Sequence, residues 1–202
     1  MTRLLSIKTA RIISVLFVPP SFTLIIFTVF AFILEQSYLK SLLLISTALV
    51  FGFILPVLMF GLFRKRGLIA DIDAKIKEER TFPFLLSILF YAPGLIILIY
   101  YGINIISIAF WFCYISNTLL VIVINKFWKI SAHMMGASGP FAALIFVFGY
   151  SALPFLLILA LIGWARIKLE CHNLYQVLAG AILAFLSTYM QIFLISKYFG
   201  YA

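Results

Sequence analysis

The chain has 202 residues, of which 65% are hydrophobic and only 10% are charged. An ordinary soluble domain carries roughly 25% charged residues, and a soluble fold of this length has too little interior to hide so much apolar surface. The composition therefore excludes a water-soluble protein and predicts one integral membrane domain over residues 1–202. The formal net charge of +9 lies in short loops beside apolar segments, which favours anionic lipid headgroups as partners and argues against nucleic acid.

Apolar runs follow one another along the chain, and about 20 apolar residues suffice to cross the hydrocarbon as a helix. The predicted spans are, in chain order, 12–34, 41–63, a pair between 81 and 125, a short pair between 134 and 165, and 174–198. The first is too long for a signal peptide, and Pro19-Pro20 should kink or restart it. Turns are predicted at 101–104 and 149–154. The fold class is therefore all-α, a polytopic transmembrane bundle of six or seven helices, because no alternating barrel pattern is present.

The basic residues are distributed unevenly between the two ends of this predicted bundle. Two spans separate each polar loop from the next, so the N-terminus and the loops 64–81, 126–132 and 166–173 emerge on one side. Thirteen of the fifteen Lys and Arg residues fall on that side, and only Lys40 and Lys197 fall on the other. By the positive-inside rule, the N-terminus and these loops are predicted to be cytoplasmic.

Both histidines of the chain, His133 and His172, lie in these loops beside predicted spans. A single histidine or basic residue at a helix end is ordinarily an interface anchor, so the conjunction of several is what favours a site. Gln176 follows His172 by four residues, and on a helix it can reach a ring nitrogen and fix the tautomer of a reactive histidine. Arg166 offers the guanidinium fork that matches phosphate oxygens.

The remaining polar residues bear on the kind of chemistry. Lys77 and Arg80 are three residues apart and form a plausible second phosphate clamp on one helix face. Cys113 and Cys171 are too few and too far apart to indicate a disulfide framework or a metal site. Histidines and arginines without an HExxH sequence favour phosphoryl chemistry without a metal, so no cofactor and no metal ion are expected.

Three stretches of these loops resemble the signature of the type 2 phosphatidic acid phosphatase family, which runs K-x6-R-P, P-S-G-H and S-R-x5-H-x3-D. Their counterparts here are Arg80-x2-Pro83 after a basic stretch, Ser131-Ala-His133, and Arg166-x5-His172-x3-Gln176. The order of the motifs, their spacing and the number of spans between them are similar over roughly residues 71–180. The chain looks most like a compact bacterial branch with KISxH and ARxKLxxHxxxQ versions of the later motifs.

The resemblance implies a membrane phosphatase of a bacterial inner membrane, acting on a lipid phosphate without a metal. Family members act on phosphatidic acid, phosphatidylglycerol phosphate and polyprenyl diphosphate. His172 would be the nucleophile that forms a phosphohistidine, His133 the acid that protonates the leaving oxygen, and Gln176 the residue that orients His172. The phosphate-binding residues implied are Arg80, Arg166, Lys77, Ser131 and Lys129.

Departures from the signature keep a second interpretation open. Gln176 stands where the family has Asp, and in a different triad a comparable carboxylate-to-amide change costs about 10⁴ in rate. Asp73 stands where the family has Lys, and Ala132 and Ala165 replace Gly and Ser. The alternative is a non-catalytic lipid-phosphate binding or transport protein on the same scaffold. A prenyltransferase is disfavoured because Asp71-x-Asp73 has no second aspartate-rich loop, and a channel because no charged ring lines a span.

Overall fold

The structure, a computed structural model, describes residues 2–71, 73 and 76–200, with side chains from Ser6 onward. The described residues are almost entirely helical and contain no strand, which confirms the predicted all-α class. Five helical runs are long and apolar enough to cross a membrane, and a bent pair at the N-terminal end raises the number to six if it counts as one span.

The nine α-helices are α1 (Thr2–Leu16), α2 (Pro19–Ile33), α3 (Tyr38–Thr47), α4 (Leu55–Lys65), α5 (Thr81–Tyr100), α6 (Ile105–Phe127), α7 (Ala132–Phe148), α8 (Leu156–Lys168) and α9 (Leu174–Tyr198), counted over the described residues. A π-helical segment, Ala48–Ile54, joins α3 to α4 into one continuous run. Short 3-10 segments, Glu78–Arg80 and Gly149–Phe155, lead into α5 and α8.

The restart predicted at Pro19-Pro20 is confirmed. Val18 has an extended backbone with φ −68° and ψ 150°, the conformation that a residue before proline prefers. The axes of α1 and α2 differ by 53° at this break, so the predicted 12–34 span consists of two helices that meet at the Pro-Pro pair. Because of the bend, α1 packs against α8 through Ala10 and Ala165, at the end of the bundle where the charged loops lie.

The chain also reverses between α7 and α8, as predicted for 149–154. Gly149 ends α7 with a positive φ of 59°, a backbone conformation that glycine adopts without steric cost. A Cβ at Gly163, near the end of α8, would lie 3.7 Å from the sulfur of Met134 at the start of α7. The two helices are therefore antiparallel, and at 17 and 13 residues they are short, as the length of this apolar run predicts.

The largest apolar core lies in the half of the bundle away from the charged loops. It joins α2, α5 and α6 through aromatic side chains, among them Phe27, Phe110 and Trp111. The indole of Trp111 donates a hydrogen bond to the Tyr91 carbonyl at 2.8 Å and lies against the backbone at Gly94, where a Cβ would approach it to 2.3 Å. This close packing holds the helices that form the cavity described next.

Candidate functional site

The charged loops meet at one end of the bundle, around a single cavity. Arg80 approaches it from the 3-10 segment before α5, His133 from the first turn of α7, Arg166 from the last turn of α8, and His172 from the connection before α9. All four side chains line a cavity of about 490 Å³. Three loops that are distant in sequence, and that the sequence predicts on one side of the bundle, therefore contribute to one cavity. We call the part of the cavity lined by these four residues and Asp73 the polar end.

Arg166 is fully buried and is held by partners from two other parts of the chain. Its Nη1 donates hydrogen bonds to Asp73 Oδ1 at 2.6 Å and to Ser14 Oγ at 2.6 Å. The second carboxylate oxygen of Asp73 pairs with Arg11 of α1. Asp73 therefore bridges two arginines, and only 4% of its side chain is exposed.

Asp73 is ionised in this arrangement. Burial by itself disfavours the carboxylate, but hydrogen bonds and the charges of Arg11 and Arg166 outweigh burial and lower the pKa of Asp73 below its ordinary value. A buried carboxylate that accepts hydrogen bonds from two guanidinium groups is stabilised in its charged form. The polar end thus holds a permanent internal anion at neutral pH.

The two arginines of the polar end, Arg80 and Arg166, differ in their hydrogen-bond partners. Arg80 is buried, and its Nη1 donates to the Ile130 carbonyl at 3.2 Å. Arg166 Nε is buried and has no hydrogen-bond partner among the described residues. An unpaired buried donor is costly, about 1–3 kcal/mol. The unpartnered N–H of a residue that lines the cavity therefore favours an incoming acceptor such as a phosphate oxygen.

Gln176 fixes the tautomer of His172. The side chain of Asn173 caps α9 by accepting from the Gln176 backbone N–H at 2.9 Å, and Gln176 Oε1 accepts from the Asn173 backbone N–H at 3.4 Å. Because a backbone N–H can only donate, this capping box assigns the oxygen of the Gln176 amide. The same oxygen lies 3.0 Å from His172 Nδ1, so Nδ1 must carry the proton. The lone pair of the ring is then on Nε2.

His172 is expected to stay neutral throughout the physiological range. Burial and the nearby charge of Arg80 lower the pKa of His172 to about 3, and the hydrogen bond to Gln176 offsets only part of this shift. In NMR spectra of histidine-labelled protein in detergent, the His172 signal, assigned with His172→Asn, should not titrate between about pH 5 and 8. A titration midpoint near 6.5 would contradict this geometry.

The same shift has a consequence for stability. Unfolded His172 binds a proton below about pH 6.5, whereas the folded protein excludes it until about pH 3. The unfolded state therefore binds more protons in that window, and the free energy of unfolding should fall as the pH drops through it.

Three of the predicted phosphate-binding residues do not line the cavity. Ser131 is buried as the N-cap of α7, where its Oγ accepts from the Met134 backbone N–H at 3.4 Å. Lys129 Nζ donates to the Cys171 carbonyl at 2.7 Å, and Lys77 Nζ donates to the Lys126 carbonyl at 3.2 Å. Ser131 and Lys129 thus support the segments that present the two histidines. Their predicted contacts with phosphate, and those of Lys77, stay predictions.

Two residues that hold the side chains of the polar end were not singled out by the sequence. Arg11 and Ser14 are three residues apart on α1, and the bend before α2 brings both to Asp73 and Arg166. The sequence signal was the three-residue spacing that places Arg11 and Ser14 on one face of a helix, together with the Pro-Pro break. That signal says nothing about which loop the helix will meet.

The rest of the cavity runs away from the charged loops between the helices and is mostly apolar. Its walls include Met59 and Phe60 of α4, Tyr91 of α5 and Phe110 of α6. A cavity of this size with apolar walls and a few convergent polar groups is typical of a small-molecule site. Its form suits an amphiphile, with a charged headgroup at the polar end and a hydrocarbon chain between the helices.

Comparison of the chain with protein-family models, curated proteins and solved structures gives no match. The fold and the cavity themselves therefore define the class of protein. It is an all-α protein with helices able to cross a membrane, and its cavity joins both histidines and three arginines, Arg64, Arg80 and Arg166, to a mostly apolar interior.

Proposed function

We propose that the protein is an integral membrane phosphatase that hydrolyses a phosphate monoester or diphosphate on a membrane lipid, without a metal, through a phosphohistidine at His172. The single observation that carries the proposal is the composition of the cavity. Both histidines, Arg80 and Arg166 line its polar end, and mostly apolar side chains line the remainder. We further propose that the polar end faces the cytoplasm of a bacterial inner membrane, as the one-sided distribution of basic residues favours.

The proposed reaction follows from the tautomer of His172. Its Nε2 lone pair attacks phosphorus in line with the bond to the lipid oxygen, and the P–N bond forms as that P–O bond breaks. His133, in its protonated form, gives a proton to the departing lipid oxygen. As the neutral base it then takes a proton from the water that attacks the phosphohistidine, which releases inorganic phosphate and restores both histidines. Arg80 and Arg166 offset the negative charge on the phosphoryl oxygens in the transition state.

The proposal is tested by measuring phosphate release from purified protein in detergent with EDTA present. Phosphatidic acid, phosphatidylglycerol phosphate and a polyprenyl diphosphate are offered in parallel. Turnover of at least one lipid in EDTA is expected. Strict dependence on added Mg²⁺, or failure to bind any lipid phosphate, would overturn the proposal.

A second candidate function is supported by one specific feature. The partner of His172 Nδ1 is the neutral amide of Gln176, which orients the ring but adds no negative charge to stabilise an imidazolium. A protein that only binds or transports a lipid phosphate would use the same cavity without turnover. Binding of lipid phosphate with no phosphate release favours this candidate.

Gln176→Glu separates the two candidates. Glutamate has the same length, satisfies the same capping box, and places a carboxylate on His172 Nδ1. For a phosphatase we expect the rate of phosphate release to rise at least about tenfold, part of the roughly 10⁴ that such a carboxylate contributes in another triad. Asn173→Asp is the matched control, because it keeps the helix cap and adds the same charge in the same turn, on a side chain that accepts from the Gln176 backbone N–H. No phosphate release from either variant, with lipid phosphate still bound, would contradict the catalytic candidate.

A further inference from the structure

We propose that Asp73 is a built-in competitor for the anion site, occupying Arg11 and Arg166 when no substrate is present and leaving them when a phosphate group binds. We call Arg11 and Arg166 the arginine pair. The inference rests on the proposed function, because it concerns the same anion site, and it adds a regulated step to that site.

The carboxylate of Asp73 lies between the two guanidinium groups of the arginine pair. One oxygen of Asp73 accepts from Arg166 and the other from Arg11. Asp73 also lines the cavity beside His133 and His172. Each guanidinium donates one N–H to one carboxylate oxygen, and two oxygens of a phosphate group can accept the same two charge-assisted bonds. The carboxylate therefore stands where the arginine pair would hold a phosphate.

The Asp73 carboxylate leaves one N–H donor of this site, Arg166 Nε, without an acceptor among the described residues. Both of the bonds that Arg166 donates to described side chains come from Nη1, while its buried Nε has no partner among the described residues. A carboxylate has only two oxygens, and both are already engaged. A phosphate group presents three oxygens and more negative charge, so it can take over the contacts of Asp73 and also accept from Nε.

Asp73 lies in a connection between helices and not within a helix. Where described, the connection between α4 and the 3-10 segment at Glu78–Arg80 consists of turns and bends. The Asp73 backbone N–H donates to Asp71 Oδ1 within the same connection, at 2.7 Å. Asp73 can therefore withdraw with its own loop, without breaking a helix that forms the cavity wall.

The negative charge of Asp73 excludes a second anion from the same position. A phosphate at the arginine pair and an ionised Asp73 in its present position would place two anions side by side, and like charges repel strongly where water is largely excluded. Both cannot occupy the site together. Substrate binding must therefore displace Asp73, and the affinity of the protein for anions is lowered by the contacts that Asp73 gives up.

Asp73→Asn tests this with orthovanadate as the probe, titrated by calorimetry into the purified full-length chain in detergent. The amide keeps the shape of the side chain but is a much weaker partner for two guanidinium groups, so vanadate should bind at least about tenfold more tightly than to the wild type. Asp71→Asn is the matched control. It changes the net charge equally, its oxygen can still accept from the Asp73 backbone, and its vanadate affinity should stay close to that of the wild type.

Each alternative outcome is decisive. Equal vanadate affinity in Asp73→Asn, Asp71→Asn and the wild type overturns the competitor role and leaves the anion site of the proposed function intact. Weaker binding to Asp73→Asn overturns it in favour of a carboxylate that organises the arginine pair permanently. No vanadate binding to any of the three overturns both this inference and the proposed anion site.

A measurement on the wild type alone guards against a variant that does not fold. Hydrogen exchange is followed in peptides that contain Asp73, with and without saturating vanadate. The competitor role predicts faster exchange in these peptides when vanadate is bound, because the loop gives up its buried anchor. Unchanged or slower exchange would overturn it.

Discussion

Replacement of His172 by alanine should reduce phosphate release by at least about 10³-fold, the scale on which removal of a catalytic nucleophile acts. The ring supplies the Nε2 lone pair of the proposed attack, in a tautomer fixed by the Gln176 oxygen 3.0 Å from Nδ1. Binding of lipid phosphate should be largely retained, because the arginines that line the cavity are unchanged. Initial rates in EDTA and lipid-phosphate binding are measured on the same preparation.

Tyr175→Ala is the control for this experiment. Tyr175 lies in the first turn of α9, three residues after His172, but its side chain is 76% exposed and does not line the cavity. Its removal should leave the rate of phosphate release within about twofold of the wild type, as expected for an exposed position. If His172→Ala retains substantial turnover while it remains folded, the phosphohistidine pathway is wrong.

Arg166→Met is expected to be the most destabilising of the single changes at the polar end. Methionine fills part of the volume but leaves Asp73 buried with only Arg11 as its charged partner. Removing one partner of a buried ion pair costs about 3–5 kcal/mol, chiefly because the other charge stays buried without compensation. Thermal unfolding in a mild detergent should show a clear loss of stability relative to the wild type.

A double variant shows whether that cost comes from the orphaned carboxylate. Arg166→Met combined with Asp73→Asn removes both charges of the pair, so the double variant should be more stable than Arg166→Met alone. Phosphate binding should be weakened in both the single and the double variant, since both lack Arg166. Equal stability of the single and double variants would mean that Asp73 and Arg166 are not coupled as the ion pair indicates.

Much of the architecture could be predicted because lipid imposes simple constraints. A backbone in hydrocarbon must satisfy its own hydrogen bonds, so long apolar runs become helices and polar residues collect at their ends. Counting the spans then placed the loops of His133, Arg166 and His172 on one side. The structure brings these loops to one cavity. The Pro-Pro restart and the reversal near Gly149 followed from local backbone preferences alone.

The internal arrangement of the polar end could not be predicted in the same way. Asp73 pairs with Arg11, 62 residues earlier in the chain, and with Arg166, 93 residues later. Such contacts depend on how bent helices pack, which no local pattern encodes. The sequence also presented Gln176 only as a replacement for a carboxylate. The structure adds that the same side chain completes the helix cap of α9. Glutamate would satisfy that cap equally well, so the cap alone does not account for the amide.

The most direct test of the central claim is to trap the phosphorylated protein. Purified protein is mixed with a lipid phosphate labelled with ³²P on its terminal phosphate, in EDTA, and quenched in alkali, where phosphohistidine survives. The account predicts an acid-labile label on the peptide that contains His172, absent from His172→Ala and present in Tyr175→Ala. Steady release of labelled phosphate with no labelled histidine, or a label on another residue, would contradict it.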